Sequence, residues 1–298
     1  MSKILSIDVG YKFVKAAYNN QTLKYPSNIE ALGQVINGFG NKDYITYNGE
    51  KYLVAEDCDT PIPTRNFDFL IKFTPLFIYY TAKRLGINLD EIENIKLGLS
   101  LLNVLNKDKK LEYIYQLQKE FIFDDKKISF NNITHYVQGT GIYNVFKANH
   151  PEKIENVFVI DIGHNTLDAL SFKNDKPNPK YSSANNHGVN VAIKEIITLI
   201  KNNHSIEIDE DRATNVLLTK EFTFQGDTYS YKKEIISIVN NYVNSILTEL
   251  KTKFPEQFNF ADYIVFGGGG VYLLKNNIQT QKNFVFIEYP EFGNVIGY

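Results

Sequence analysis

The sequence contains no tryptophan, one cysteine, one methionine and only three arginines, Arg65, Arg84 and Arg212. With Cys58 alone, neither an intrachain disulfide nor a cysteine-cluster metal site can form. Arginine is the usual reader of guanine edges, so direct binding to duplex nucleic acid is not expected. The formal net charge of −2 gives no general attraction to nucleic acid or to an anionic membrane. No stretch reaches the roughly 18 apolar residues of a membrane-spanning helix. The longest candidates, residues 75–82 and 98–105, are interrupted by Tyr, Thr, Ser and Asn. The first apolar run, residues 4–7, is too short for a signal peptide and leads straight into Asp8-Val9-Gly10. A soluble cytoplasmic protein is expected.

What is present is ordinary globular material. Hydrophobic residues make up 43% and charged residues 22%, which excludes a disordered chain, a collagen-like chain and a coiled-coil rod. A length of 298 residues allows one large domain or two small ones. With 20 Tyr and 21 Phe, the aromatic part of the core must come from these two residue types.

A repeat suggests two domains. Ile7-Asp8-Val9-Gly10 returns as Ile160-Asp161-Ile162-Gly163. Each copy follows a short apolar run and precedes another, so each reads as a strand, an Asp-x-Gly turn and a second strand. Asp-Gly turns are common in hairpins; two copies in matching contexts are less readily a coincidence. Between them, residues 44–47 and 51–55 flank an Asn48-Gly49 turn. Residues 73–85 read as a helix closed by Gly86, and residues 107–121 show helical spacing at Leu111, Ile114, Leu117 and Phe121. Residues 95–99 and 133–137 read as strands, the second leading to Gln138-Gly139-Thr140-Gly141 and a helix at 142–148. Beyond the second repeat, residues 175–179 read as a loop and 181–184 as a strand. Gly188 opens a helix, residues 221–231 form a hairpin, and residues 231–254 form a long amphipathic helix. A buried strand at 263–266 runs into Gly267-Gly268-Gly269-Gly270, followed by a helix at 271–275 and a strand at 284–287. Strands alternate with helices, so the class is α/β with mixed sheets.

Three elements can carry chemistry. In the first hairpin, turn amides around Gly10, Tyr11 and Lys12 can cradle phosphate. Lys15 adds a cation, and Asp8 can hold a hydrated Mg²⁺. The second hairpin offers Asp161, the turn amides of Gly163, His164 and Asn165, and the Thr166 hydroxyl, with Asp168 beyond. His164 reads either as a solvent-facing turn residue or as a side chain reaching phosphate. The four glycines cost backbone entropy. A flat ligand pressed on bare backbone would explain them, and so would a tight strand-to-helix turn. Their spacing fits neither a P-loop nor a dinucleotide fingerprint.

In this order the elements resemble the actin-like ATPase superfamily. Asp8-Val9-Gly10 through Lys15 resembles its first phosphate motif, and Gln138-Gly139-Thr140-Gly141 its first connecting segment. Asp161-Ile162-Gly163 through Asp168 resembles the second phosphate motif. Gly267-Gly268-Gly269 with Tyr272 resembles the adenosine motif. The closing run from Pro290 to Tyr298, with Asn294 and Gly297, resembles the last segment of ParM-type plasmid-segregation actins. Lys12 and Phe13, and His164 and Asn165, depart from the residues common in the two turns.

The resemblance implies an actin/ribonuclease-H-like fold of two similar domains, 1–147 with 284–298 and 148–283, with a nucleotide in the cleft. It implies Asp8 and Asp161 as Mg²⁺ acids acting mostly through water. Gly188, Arg212, Gly267, Gly268, Gly269 and Tyr272 would surround the nucleoside of ATP or GTP. Gln138 replaces the general base of the sugar kinases; an amide cannot take the proton but can orient a water. That favours slow hydrolysis over transfer to a sugar. The resemblance, chiefly its closing segment, implies hydrolysis coupled to polymerisation, self-association into filaments and plasmid DNA reached through an adaptor protein. A non-polymerising nucleotide-dependent module and a sugar-kinase-like enzyme are the alternatives.

Overall fold

The computed structural model describes residues 3–33, 43–63, 66–275, 277–278 and 281–298; Arg65 lies outside them. The chain divides into two units, Met1–Pro151 with Glu291–Tyr298, and Glu152–Pro290.

The first unit runs β1 (Ile4–Val9), β2 (Phe13–Tyr18), β3 (Gln21–Pro26), β4 (Ile29–Ala31), β5 (Ile45–Tyr47), β6 (Glu50–Val54), α1 (Phe67–Leu85), β7 (Asn94–Leu99), α2 (Leu101–Leu105), α3 (Lys107–Leu117), β8 (Glu120–Phe123), β9 (Lys126–Ser129), β10 (Ile133–Val137) and α4 (Thr140–Asn149). Its main sheet has the order β10-β7-β1-β2-β3, parallel across β10, β7 and β1 and antiparallel from β1 to β3. A second sheet has the order β4-β6-β5-β8-β9. β1 is buried along nearly its whole length, including its polar residues Ser6 and Asp8.

Local chemistry sets α1. The Asn66 side chain accepts from the Phe69 N–H at 3.1 Å, and Gly86 ends the helix in the left-handed region. Helical spacing alone begins this helix at 73; the Asn66 cap moves its start to Phe67. Pro75 lies inside it, fully buried with Leu76, Phe77 and Ile78 around it. Proline in a helix interior costs about 3 kcal/mol, and each buried large apolar side chain contributes about 2 kcal/mol, so packing holds the helix through the break.

The second unit runs β11 (Asn156–Ile162), β12 (Leu167–Lys173), β13 (Lys176–Pro177), β14 (Ser183–Asn185), α5 (Asn190–His204), α6 (Glu210–Thr219), β15 (Glu221–Phe224), β16 (Asp227–Ser230), α7 (Lys232–Lys253), α8 (Pro255–Phe260), β17 (Tyr263–Gly267), α9 (Val271–Lys275) and β18 (Phe284–Phe286). Its sheet has the order β13-β12-β11-β17-β18, with β14 beside β12. α7 buries Ile235, Val239, Tyr242, Val243, Ile246 and Leu250 along one face. The chain then returns to the first unit with α10 (Gly293–Gly297). Each unit has its own hydrophobic core.

The structure differs from the sequence reading at several places. α3 stops at Leu117, and Phe121 lies in β8, where it and Phe123 are buried in alternation. The strand expected at 181–184 is shifted to Ser183–Asn185; residues 179–181 form a 3₁₀ turn. α6 was not anticipated, because its first turn is charged; the Asp209 side chain caps it by accepting from the Arg212 N–H at 2.7 Å. β18 pairs in parallel with β17, so residues 284–290 stay with the second unit and the return to the first begins at Glu291 rather than at 284.

Candidate functional site

The sequence repeat is also a repeat of register. Asp8 lies opposite Lys15 on the antiparallel neighbour and opposite Gly98 on the parallel one. Asp161 lies opposite Asp168 and opposite Gly267 in the same two senses. Both turns close with the same bond, from the Gly10 N–H to Phe13 O at 3.1 Å and from the Gly163 N–H to Thr166 O at 2.8 Å. Each acid stands at the carboxyl end of a central strand, the edge at which open α/β sheets take ligands. Both are nearly inaccessible, at 3% and 5% exposure.

In the first unit, one Asp8 oxygen accepts from the Gln138 amide, and Lys15 Nζ lies 3.4 Å from the other. Gln138 reaches this place because β10 runs parallel to β7; its N–H donates to Leu99 O at 2.8 Å. The next N–H, that of Gly139, donates to the Asn294 side-chain oxygen at 2.7 Å. Asp8, Lys15 and Gln138 are therefore brought together, with Gly10 at the adjoining turn. The Tyr11 side chain points elsewhere: its hydroxyl is 3.2 Å from both the amide oxygen and the amide nitrogen of the buried Asn103 in α2. The Lys12 carbonyl accepts from the Ser27 N–H at 3.0 Å. Lys24 is a cation that sequence reading passed over. It faces Lys15 across β2 and β3, its ammonium 4.7 Å above the Phe13 ring. Partial burial lowers its pKa, Glu291 raises it and Lys15 lowers it further. Only the pairing of residues 21–26 as a strand would have singled it out.

In the second unit, Gly268 has φ +83°, and a Cβ there would strike an Asp161 oxygen and the Ile162 carbonyl. Bare backbone at this point lets the β17 turn close over the acid. Gly267 and Gly268 are buried, while Gly269 is exposed. Gly188 sits behind the second turn: its N–H donates to Asn165 O at 3.2 Å, and the next amides donate to Gly163 O and His164 O at 3.1 and 2.8 Å. The Thr166 side chain is buried. His164 Nε2 lies 3.2 Å from a Glu210 carboxylate oxygen at the start of α6, which links the turn to the helix carrying Arg212. Tyr272 is half exposed in α9. Among the described residues no group of three or more His, Cys, Asp or Glu is placed to hold a metal, and no helix is long and apolar enough to cross a membrane.

The family model for actin-like proteins, N-terminal domain, matches residues 6–141, and the model for the archaeal actin homologue MreB-like, C-terminal, matches residues 159–280. No relative is found among curated protein sequences. Solved structures match over the whole chain. Ta0583, an archaeal actin homologue, has 18% identity and a TM-score of 0.81, with 100% of this chain and 97% of that chain covered. Its complex with ADP gives 16% and 0.80, with 100% and 98% covered. The 15-stranded ParM filament from Clostridium botulinum gives 21% and 0.79, with 100% and 98% covered. These likenesses show an actin-like fold of two domains. With one family model after the other spanning most of the sequence, the chain belongs to the actin-like superfamily.

Proposed function

We propose that this protein binds a magnesium nucleoside triphosphate through its two acid-tipped hairpins, hydrolyses it, and assembles into dynamic filaments that segregate plasmid DNA. The observation that carries this reading is the register repeat, in which Asp8 and Asp161 hold equivalent positions in two hairpins closed by the same turn bond. Support for nucleotide comes from the ADP complex of the archaeal homologue, and for filaments from the ParM structure.

The Gly10 and Gly163 N–H groups are spent on closing the turns, so the amides of residues 11–12 and 164–165, with Lys15 and Thr166, bind phosphate. Two carboxylates in separate hairpins suit Mg²⁺, which keeps much of its hydration shell and takes its remaining ligands from substrate phosphates. The cation would neutralise charge on the transferred phosphoryl group. Gln138 orients the attacking water, and Gly188, Arg212, Gly267, Gly268, Gly269 and Tyr272 line the nucleoside. A triphosphate gripped by both hairpins favours one conformation of the chain, and that conformation presents a surface to the next copy in a repeating heterologous contact. Hydrolysis releases the grip. DNA is reached through an adaptor protein, in keeping with three arginines and a net charge of −2.

The test is sedimentation and phosphate release with Mg-ATP, Mg-GTP and a nonhydrolysable analogue. Wild-type protein should pellet above a critical concentration with either triphosphate or the analogue, and disassemble only when hydrolysis is possible. Asp161→Ala should abolish most phosphate release. A chain that stays monomeric throughout would overturn the filament reading, and near-normal turnover by Asp161→Ala would overturn the metal assignment.

A further inference from the structure

Three parallel strands of the second unit end at one edge of the sheet. β11 ends at Ile162, one residue past Asp161, β17 ends with Gly267, and the chain leaves β18 at Phe286 and reaches Tyr289 three residues on. Two strand spacings, about 10 Å, separate the acid's strand from β18, the strand that Tyr289 follows. This is the length scale on which a nucleotide extends from its phosphates to its base.

Tyr289 combines two properties. The residue is 62% exposed, which alone would be unremarked for a surface tyrosine. Its backbone has φ +49°, a conformation that bulky side chains seldom adopt. That conformation is held from both sides. The Ile287 N–H donates to Phe266 O at 3.2 Å, and the Gly268 N–H donates to Pro290 O at 2.8 Å. Gly268 is the residue that closes over Asp161. The strained tyrosine is thus fastened to the glycine turn through Pro290.

We infer that Tyr289 is a nucleobase-stacking residue, offering its ring at the β18 end of this edge to the base of a nucleotide whose phosphates lie toward Asp161. The inference rests on the nucleotide-binding reading above. Aromatic faces stack on any base, so Tyr289 contributes affinity for the base and none for phosphate.

The absence of tryptophan makes the test direct. In Tyr289→Trp the only indole of the chain reports on this position. Mg-ATP and Mg-GTP should change its fluorescence, and Mg-tripolyphosphate, which lacks a base, should not. Tyr289→Asn should weaken Mg-ATP binding about tenfold and leave tripolyphosphate binding unchanged. Because asparagine accepts positive φ, its thermal midpoint should not fall. Equal Mg-ATP affinity in wild type and Tyr289→Asn, or equal losses for Mg-ATP and tripolyphosphate, would overturn this inference alone. Wild-type protein that binds no nucleotide by calorimetry would overturn the functional reading and this inference with it.

Discussion

Gly297 rests directly on Gly141: a Cβ on Gly297 would strike the Gly141 carbonyl, and a Cβ on Gly141 would strike the backbone of Asn294. α10 and α4 therefore cross backbone to backbone, and Asn294 fixes the contact by accepting from the Gly139 N–H. The residue before Gly139 is Gln138, whose amide meets Asp8. The closing Asn-x-x-Gly run thus acts on the candidate site by holding the segment that carries Gln138.

Gly297→Val forces this crossing apart. It should destabilise the fold by about 1–3 kcal/mol, the usual cost of overpacking, and lower the thermal midpoint. An unchanged midpoint would mean that α10 is not fastened as described.

Gln138→Ala should slow hydrolysis about 100-fold, the order seen when one positioned hydrogen-bonding group is removed from a reacting centre. Nucleotide affinity should stay near that of wild type. Single-turnover phosphate release alongside equilibrium binding separates the two effects; a parallel fall in both would make Gln138 a structural support for Asp8.

Tyr11→Phe deletes the hydroxyl beside the buried Asn103 amide. Loss of a buried partner should cost about 1–3 kcal/mol and loosen the first turn. Chemical denaturation gives the stability, and hydrogen exchange of the 10–12 amides gives the local effect. Exchange no faster than in wild type would show that the turn does not depend on α2.

Alkaline pH should unfold the first unit from within its aromatic core. Burial pushes the Tyr47 phenol up to about 12. Burial does the same to Tyr79, which also donates to an Asp124 oxygen at 3.0 Å. A phenol that holds its proton more tightly when folded stabilises the fold fully below its ordinary pKa of 10.0, and the contribution fades as pH rises toward about 12. Denaturation midpoints should therefore be flat below pH 10 and fall above it, with tyrosinate absorbance rising in step, and Tyr79→Phe should make the fall shallower. A decline that starts near neutral pH would assign the titration to other groups.

The two hairpins and their acids were legible in the sequence because a hairpin is local: Asp8 to Lys15 and Asp161 to Asp168 are each seven residues apart, and both pairs face each other across their strands. Long helices such as α7 were legible from apolar spacing. What escaped the sequence is pairing at a distance. Gln138 meets Asp8 across 130 residues, and Gly139 meets Asn294 across 155; no local pattern encodes either. The glycine run was readable as a turn or as a ligand platform, and only φ +83° at Gly268, pressed on Asp161, shows what one of its members does. Phe121 misled because one apolar residue fits both a period of 3.6 and a period of 2.

The matched registers also differ at one place. The residue facing Asp8 is a lysine, and the residue facing Asp161 is an aspartate. One cross-strand pair sets an acid against a base, and the other sets two acids against each other. By Coulomb's law the first frame is the more hospitable to an anion and the second to a cation. Two copies of one scaffold are in this way given opposite electrostatic character by a single side chain, a lysine at position 15 and an aspartate at position 168.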